Sequence, residues 1–413
     1  MFLNRLWIGL FLIAVLTATV KTFVFQDMDV FSNVVLSMFD SAKTGFEISL
    51  YLTGVLALWM GIMKIGEEGG AVRILTRMVA PLFSKLFPEL PKDHPAFGTI
   101  MLNYSANMLG LDNAATPIGL KAMGQLQELN PEKETASNAQ IMFLVLNTSG
   151  LTIIPVTILA YRMANGSANP SEVFLPILLT TFISTMAGLI FVSIRQKINL
   201  LQPVVLTYLG SLTLLVASVF LVLVYWPQYS EIISKVLGNF ILLLIVTGFI
   251  ILGIRSKINV YDAFIEGAKG GFDVAIKIIP FLVAILVAVG VFRASGAMDM
   301  LMGGLKMLLE MLGVSCTQLI DALPTGLMKP FSGSGARGMM LDVFAQPDLG
   351  PDSFAGRMAS IFQGSTETTF YVLSVYFGSV QIKKIRYAAW AGLFADIIGI
   401  VAAILITFMF FSC

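Results

Sequence analysis

Long apolar runs alternate with short polar connections over the whole chain. Runs near 6–24, 48–63, 139–161, 172–194, 198–230, 236–254, 274–292, 356–378 and 388–410 predict membrane-crossing helices, since about 20 apolar residues span a bilayer. Two other stretches, Val72 to Phe87 and Met298 to Leu312, carry charge on one side and Leu/Met on the other. That pattern predicts helices lying in the membrane interface. The fold class expected is therefore an all-α polytopic membrane protein.

The pattern occurs twice. Ala42-Lys43-Thr44-Gly45-Phe46-Glu47 returns as Ala268-Lys269-Gly270-Gly271-Phe272-Asp273. Lys43 and Glu47, like Lys269 and Asp273, are one helical turn apart and can pair on a helix face. Each copy is thus expected to open on an interfacial helix with a surface ion pair, followed by a separate crossing helix. After the amphipathic stretch comes a polar, helix-breaking element. It runs from Asn107 through Asn113 and Pro117 to Gly119 in the first copy, and from Lys329 through Ser332, Ser334 and Arg337 to Gly338 in the second. Proline removes a backbone donor and breaks the hydrogen-bond ladder. Non-helical backbone at membrane depth is tolerated only inside protein or beside a wet cavity. Both elements are read as the tips of re-entrant hairpins. Aligning Gly119 with Gly338 sets Asn113 opposite Ser332.

The next element in each copy is a crossing with a polar interruption: Asn147-Thr148-Ser149-Gly150-Leu151-Thr152, then Gln363-Gly364-Ser365-Thr366-Glu367-Thr368. Glu367 stands inside an otherwise apolar span. A carboxylate there is costly unless paired or hydrated, which marks it as functional by default. Asp396 lies in the last run. It pairs with Lys384 or Arg337, or it binds a coupling cation.

Composition agrees and excludes alternatives. Of 413 residues, 57% are hydrophobic and 12% are charged, against about 25% charged in soluble chains. A net charge of +1 offers no basic face for nucleic acid. His94 is the one histidine and stands in no paired-ligand motif, so no metal and no cofactor are expected. Cys316 and Cys413 are far apart in sequence and are read as packing residues. No nucleophile elbow or phosphate-binding loop suggests an enzyme.

Charge also gives direction, because Lys and Arg accumulate in cytoplasmic loops. Arg195 with Lys197, Arg255 with Lys257, and Lys383, Lys384 and Arg386 are placed inside. Residues 64–133 hold seven basic side chains, and their counterparts in 293–352 hold four. The first copy then starts outside and ends inside, and the second does the reverse. Two inverted-topology repeats with re-entrant hairpins and interrupted helices follow. Matching interruptions in inverted repeats point to a transport site between the halves.

At this point the residues resemble a known family. Asn107 to Met123 is similar to the signature of spore maturation protein A. Lys329 to Gly338 and Gln363-Gly-Ser-Thr-Glu-Thr-Thr-Phe-Tyr371 resemble spore maturation protein B. Both belong to the nucleoside-recognition, or Gate, superfamily. The resemblance implies a domain order: 1–33, an anchor helix; 34–195, a first Gate repeat; 196–259, two linking transmembrane helices; 260–413, a second Gate repeat. It also implies a gated transporter-like fold. In nucleoside carriers a Gln-Thr-Glu motif contacts the base, and Gln363, Thr366 and Glu367 resemble it with Gly364 and Ser365 intervening. Related carriers imply a homo-oligomer in the bacterial inner membrane.

The expected function is transport of a small polar organic solute, nucleoside-like or carboxylate-bearing, by alternating access. Asn113, Asn147, Ser149, Ser332, Ser334, Arg337, Gln363, Ser365, Thr366 and Glu367 are the expected solute-binding residues. Glu367 or Asp396 is the expected coupling site for a proton or sodium. The alternative is a non-transporting membrane scaffold or regulator of envelope or spore maturation.

Overall fold

The computed structural model describes the chain apart from residues 1, 92, 230, 231, 233–235, 237 and 312–315, with some further side chains, Asn113's among them, also outside the described residues. In chain order, α1 (Phe2–Phe25) precedes a five-part series. This series is a long helix, α2 (Val30–Glu68); an amphipathic helix, α3 (Ala71–Leu86); a hairpin, α4 (Pro95–Met108) and α5 (Asp112–Leu129); a broken helix, α6 (Asn138–Ser149) and α7 (Val156–Ala164); and α8 (Phe174–Gln196). Helices α9 (Pro203–Tyr225) and α10 (Gly238–Arg255) follow. The series then recurs as α11 (Val260–Ala294), α12 (Ala297–Met311), the hairpin α13 (Thr317–Met328) and α14 (Gly333–Ala345), the broken α15 (Phe354–Gly364) and α16 (Thr369–Ser379), and α17 (Ala388–Phe410). Among the described residues, seven helices are long and apolar enough to cross a membrane. The hairpins and half-helices are not among them. The chain is an all-α, multi-pass membrane protein.

Local chemistry fixes the short elements. Ser137 and Gln140 form a capping box at the start of α6. Ser332 and Ser353 cap α14 and α15 through their hydroxyls. His94 caps α4, with Pro95 at the first helical position. Such side chains satisfy amide groups that a helix start leaves without a partner.

The copies interlock in opposite directions. Along α2 and α11, a methyl added at Gly45 would lie 3.2 Å from Val283 Cα, one at Gly271 2.6 Å from Ala57 Cα, and one at Gly267 3.0 Å from Gly61 Cα. Each step forward on one helix meets a step back on the other, so the pair is antiparallel in unbroken register. Helices α8 and α17 behave alike. Ser184 Oγ donates to Ala395 O at 3.0 Å, and Gly188 faces Ala395 while Gly399 faces Ser184. Glycines are required along α2 and α11 because backbone meets backbone there, while Gly188 and Gly399 make room for side chains of the facing helix. The helix α1 packs on α11, where Trp7 Nε1 donates to Ala284 O at 2.9 Å.

Two sequence expectations change here, and one holds. The Lys-x-Gly-Phe-acid motifs do not end separate interfacial helices; they lie within continuous α2 and α11. Lys43 and Glu47 do pair at 3.8 Å with both side chains exposed, but the glycines of the motif serve the helix crossing. The runs at 139–161 and 356–378 are each broken into two half-helices at the expected polar interruptions. Cys316 and Cys413 are joined in a disulfide with Cα atoms 6.2 Å apart across 97 residues of sequence. The antiparallel path of α17 returns the chain end to the base of the second hairpin, which the linear separation conceals.

Candidate functional site

The two broken helices cross at their breaks. Helix α6 ends at Gly150, whose φ of +34° suits glycine, and α7 begins after Pro155. Helix α15 ends at Gly364, and α16 begins after Thr368. The breaks bond directly: Glu367 N donates to Thr148 O at 2.8 Å. Each hairpin tip docks on the break of its own copy. Ile153 N donates to Met108 O at 2.7 Å, and Phe370 N donates to Pro330 O at 3.1 Å. A methyl at Gly110 would lie 2.7 Å from Ile154 O, and one at Gly333 2.7 Å from Thr368 Oγ1. The same docking in both copies leaves half-helix ends converging on one place, the arrangement that fixes charge near a membrane midplane.

Two cavities flank the crossing. The first encloses about 890 Å³ including its mouth and is lined by Lys329, Gly333, Arg337, Gln363, Thr366 and Glu367 from the second copy, with Asn107, Asn147, Thr152 and Tyr161 from the first. The other, about 750 Å³, lies along α16 toward the 380–387 loop and is lined by Thr116, Tyr371, Val375 and Tyr376. Asn107, Asn147 and Glu367 border both, so they form the septum. Asn107 Nδ2 donates to Asn147 Oδ1 at 2.7 Å, and Tyr376 OH donates to the same oxygen at 3.3 Å. One side chain thereby ties the first hairpin, α6 and α16 together.

Of the residues expected from sequence, Asn147, Arg337, Gln363, Thr366 and Glu367 line the first cavity. The Glu367 side chain is exposed into that open space rather than enclosed by apolar neighbours, which answers the cost of a carboxylate at this depth. Ser149 and Ser365 point elsewhere: their hydroxyls donate to Val145 O and Phe362 O at 2.9 and 2.8 Å. Ser332 serves as the α14 cap, with Ser334 Oγ 3.4 Å from it. Asn113 lies outside the described side chains. Asp396 pairs with neither Lys384 nor Arg337; its Oδ2 accepts from Thr369 Oγ1 at 2.6 Å. Lys384 is far off in the loop that meets Thr135, and Arg337 stacks over the Tyr161 ring at 5.2 Å.

Asn107, Lys329, Tyr161 and Tyr376 were not expected in the site. Lys329 opens the second helix-breaking motif, yet nothing in the linear pattern shows that it is buried at the hairpin tip. Among the described residues, several polar atoms around the crossing have no hydrogen-bond partner: Gln363 Oε1, Arg337 Nε, Tyr161 OH and Thr148 Oγ1. Buried polar atoms are nearly always bonded, so a cluster of exceptions marks a place where water or a ligand completes the set.

Each end of the crossing is bridged between copies. At the 165–170 and 350–353 loops, Arg162 is fully buried and reaches Glu172 at 2.6 Å, Asp352 at 2.8 Å and Pro351 O at 2.6 Å. Arg357 holds the same Glu172 at 2.7 and 3.1 Å. At the opposite end, Lys383 and Glu134 pair at 2.5 Å with both side chains largely exposed, and Ala136 N donates to Lys384 O. Lys383 holds the Glu134 carboxyl below the ordinary carboxylate range, chiefly by their hydrogen bond. This bridge is therefore intact above that range and is lost as pH falls through the lowered value.

Comparison with known proteins places this architecture. Residues 49–165 match the Gate family, described as nucleoside recognition, which defines a class of membrane protein. The chain is 42% identical over 187 residues to spore maturation protein A of Bacillus subtilis (strain 168), covering 45% of this chain and 92% of the relative. It is 46% identical over 169 residues to spore maturation protein B of the same organism, covering 41% of this chain and 92% of the relative. The chain belongs to the family of spore maturation proteins A and B.

Proposed function

We propose that the protein is a bacterial inner-membrane carrier that moves a small polar organic solute bearing an anionic group, nucleoside-like or carboxylate in kind. The observation that carries this reading is a cavity built jointly by two inverted copies at the meeting of two helix breaks. Arg337 and the α14 N-terminus offer donors to an anion, with Lys329 supplying a second positive charge beside them. Gln363, Thr366 and Glu367 face them across the same space and suit the hydrogen-bonding edge of the solute. The septum of Asn107, Asn147 and Glu367 separates this cavity from the one on the basic side, as alternating access requires. The 380–387 end, being the basic one, is cytoplasmic in this reading.

The test is a thermal-stability screen of the purified chain with nucleosides and small carboxylates. A ligand that stabilises the protein is expected to bind at least about tenfold more weakly in Glu367→Gln and in Arg337→Ala, since a charge-assisted hydrogen bond contributes about 1.5–3 kcal/mol. No stabilising ligand, or one whose affinity both variants leave intact, overturns the reading and favours a membrane scaffold.

A further inference from the structure

Helix α3 is not among the seven helices long and apolar enough to cross a membrane, and its two faces differ. Ala71, Phe83 and Leu86 are buried. This inner face packs on the first hairpin: Thr76 Oγ1 lies 3.3 Å from Ser105 Oγ, and the rings of Phe83 and Tyr104 are 5.0 Å apart. The opposite face is open. Ile74 and Met78 are 44% and 58% exposed, and Arg73 and Arg77 stand beside them, exposed and one turn apart. An apolar strip edged by cations suits a helix lying at headgroup level, with its guanidinium groups reaching for phosphate.

Among the described residues, neither arginine has an ion pair or a hydrogen bond from its side chain. Like charges one turn apart repel. The carboxylates nearest in the chain, Glu67 and Glu68, sit instead beside Lys64 at 3.8 and 3.4 Å. The second copy shows that the fold does not need the arginine pair. A left-handed glycine precedes each amphipathic helix, Gly70 at φ +90° and Gly296 at φ +81°. Aligning these two sets Asp299 opposite Arg73, Gly303 opposite Arg77 and Met300 opposite Ile74. Met300 is exposed as Ile74 is. The exposed apolar position is thus kept in both copies, and the paired cations in one only.

We propose that the open face of α3 binds the headgroup of an anionic phospholipid. Arg73 and Arg77 hold its phosphate, and Ile74 and Met78 meet its acyl chains. A guanidinium fork matches two phosphate oxygens at once. An anion between the arginines also relieves their repulsion. In the orientation given by the basic loops, α3 lies on the cytoplasmic side, where anionic headgroups attract basic segments. The apolar strip favours a lipid over free phosphate, which would leave Ile74 and Met78 in water. A headgroup held here would fix α3 against α4, the helix that carries Asn107 of the septum.

No solute is needed to test this, so it and the carrier reading can fail separately. The purified full chain is melted in nanodiscs of phosphatidylcholine, with or without phosphatidylglycerol. In parallel, its affinity for a fluorescent phosphatidylglycerol is measured in detergent. The expected result is a higher Tm with phosphatidylglycerol, and a label displaced by that lipid but not by phosphatidylcholine or inorganic phosphate. With Arg73→Gln and Arg77→Gln together, affinity should fall about thirtyfold, roughly fivefold for each basic side chain. The Tm gain should vanish while the Tm in phosphatidylcholine stays unchanged. If the double variant does not fold, the binding and competition data on the unaltered protein decide alone. An equal Tm in both nanodiscs, displacement by phosphatidylcholine or by inorganic phosphate, or unchanged affinity in the variant would overturn the proposal.

Discussion

Arg162→Ala is expected to lose about 3 kcal/mol of stability, the lower part of the 3–5 kcal/mol range for breaking a buried ion pair. The guanidinium is fully buried and joins α7 of the first copy to Asp352 and Ser360 of the second. Its removal leaves a void and strands Pro351 O and part of Asp352, while Ser360 Oγ keeps its bond to Gly356 O. The loss stays near the low end for two reasons. Glu172 keeps Arg357 at 2.7 Å, and Asp352 is partly exposed and keeps Ala168 N at 2.7 Å. Lys383→Ala breaks the bridge at the other end, but that pair is exposed on both sides, and such pairs add little. Denaturant or thermal unfolding of both variants in one detergent checks this. Equal effects at the two ends would show that the Arg162 cluster does not hold the copies together.

Gly271→Leu is the other large effect. A first side-chain carbon there would fall 2.6 Å from both Ala57 Cα and Ala57 N. Backbone cannot yield as a rotamer does, so α2 and α11 must separate along their whole register. Overpacking a core costs about 1–3 kcal/mol where side chains can shift, and more is expected here. Gly54→Leu, on the same α2, meets nothing within 4 Å and should leave folding unchanged. Monodisperse yield and Tm compare the two. If Gly271→Leu folds as well as Gly54→Leu, the antiparallel pair is not the scaffold described.

Much of this fold was legible in the chain. Paired helix-breaking motifs reveal the hairpin tips because backbone rules in lipid are strict. The polar interruptions reveal the broken helices for the same reason, and the Lys/Arg bias gives the inversion. What escaped depends on partners distant in sequence. Gly45 and Gly271 carry an obvious motif, but its role as a crossing point exists only once the other helix is present. Cys316 and Cys413 meet because α17 runs back along the molecule. Arg162, Glu172, Asp352 and Arg357 look like ordinary loop charges until two copies bring them together. Which way Lys329, Tyr161 or Asn107 faces depends on helix rotation, and that is set by packing rather than by local pattern. Asp396 is conspicuous in its apolar run, yet its partner, Thr369, is not the basic residue that charge alone suggests.

The central claim is that two oppositely inserted halves enclose a hydrated space entered from both faces. The native cysteines are bonded to each other, so single new cysteines can be read against a silent background. Thr152→Cys, in the first cavity, and Val375→Cys, in the second, should be labelled in right-side-out and inside-out vesicles with a small membrane-impermeant thiol reagent. Thr152→Cys is expected to react from the outer face and Val375→Cys from the cytoplasmic face. Labelling of both from one face, or of neither from any, would contradict the account.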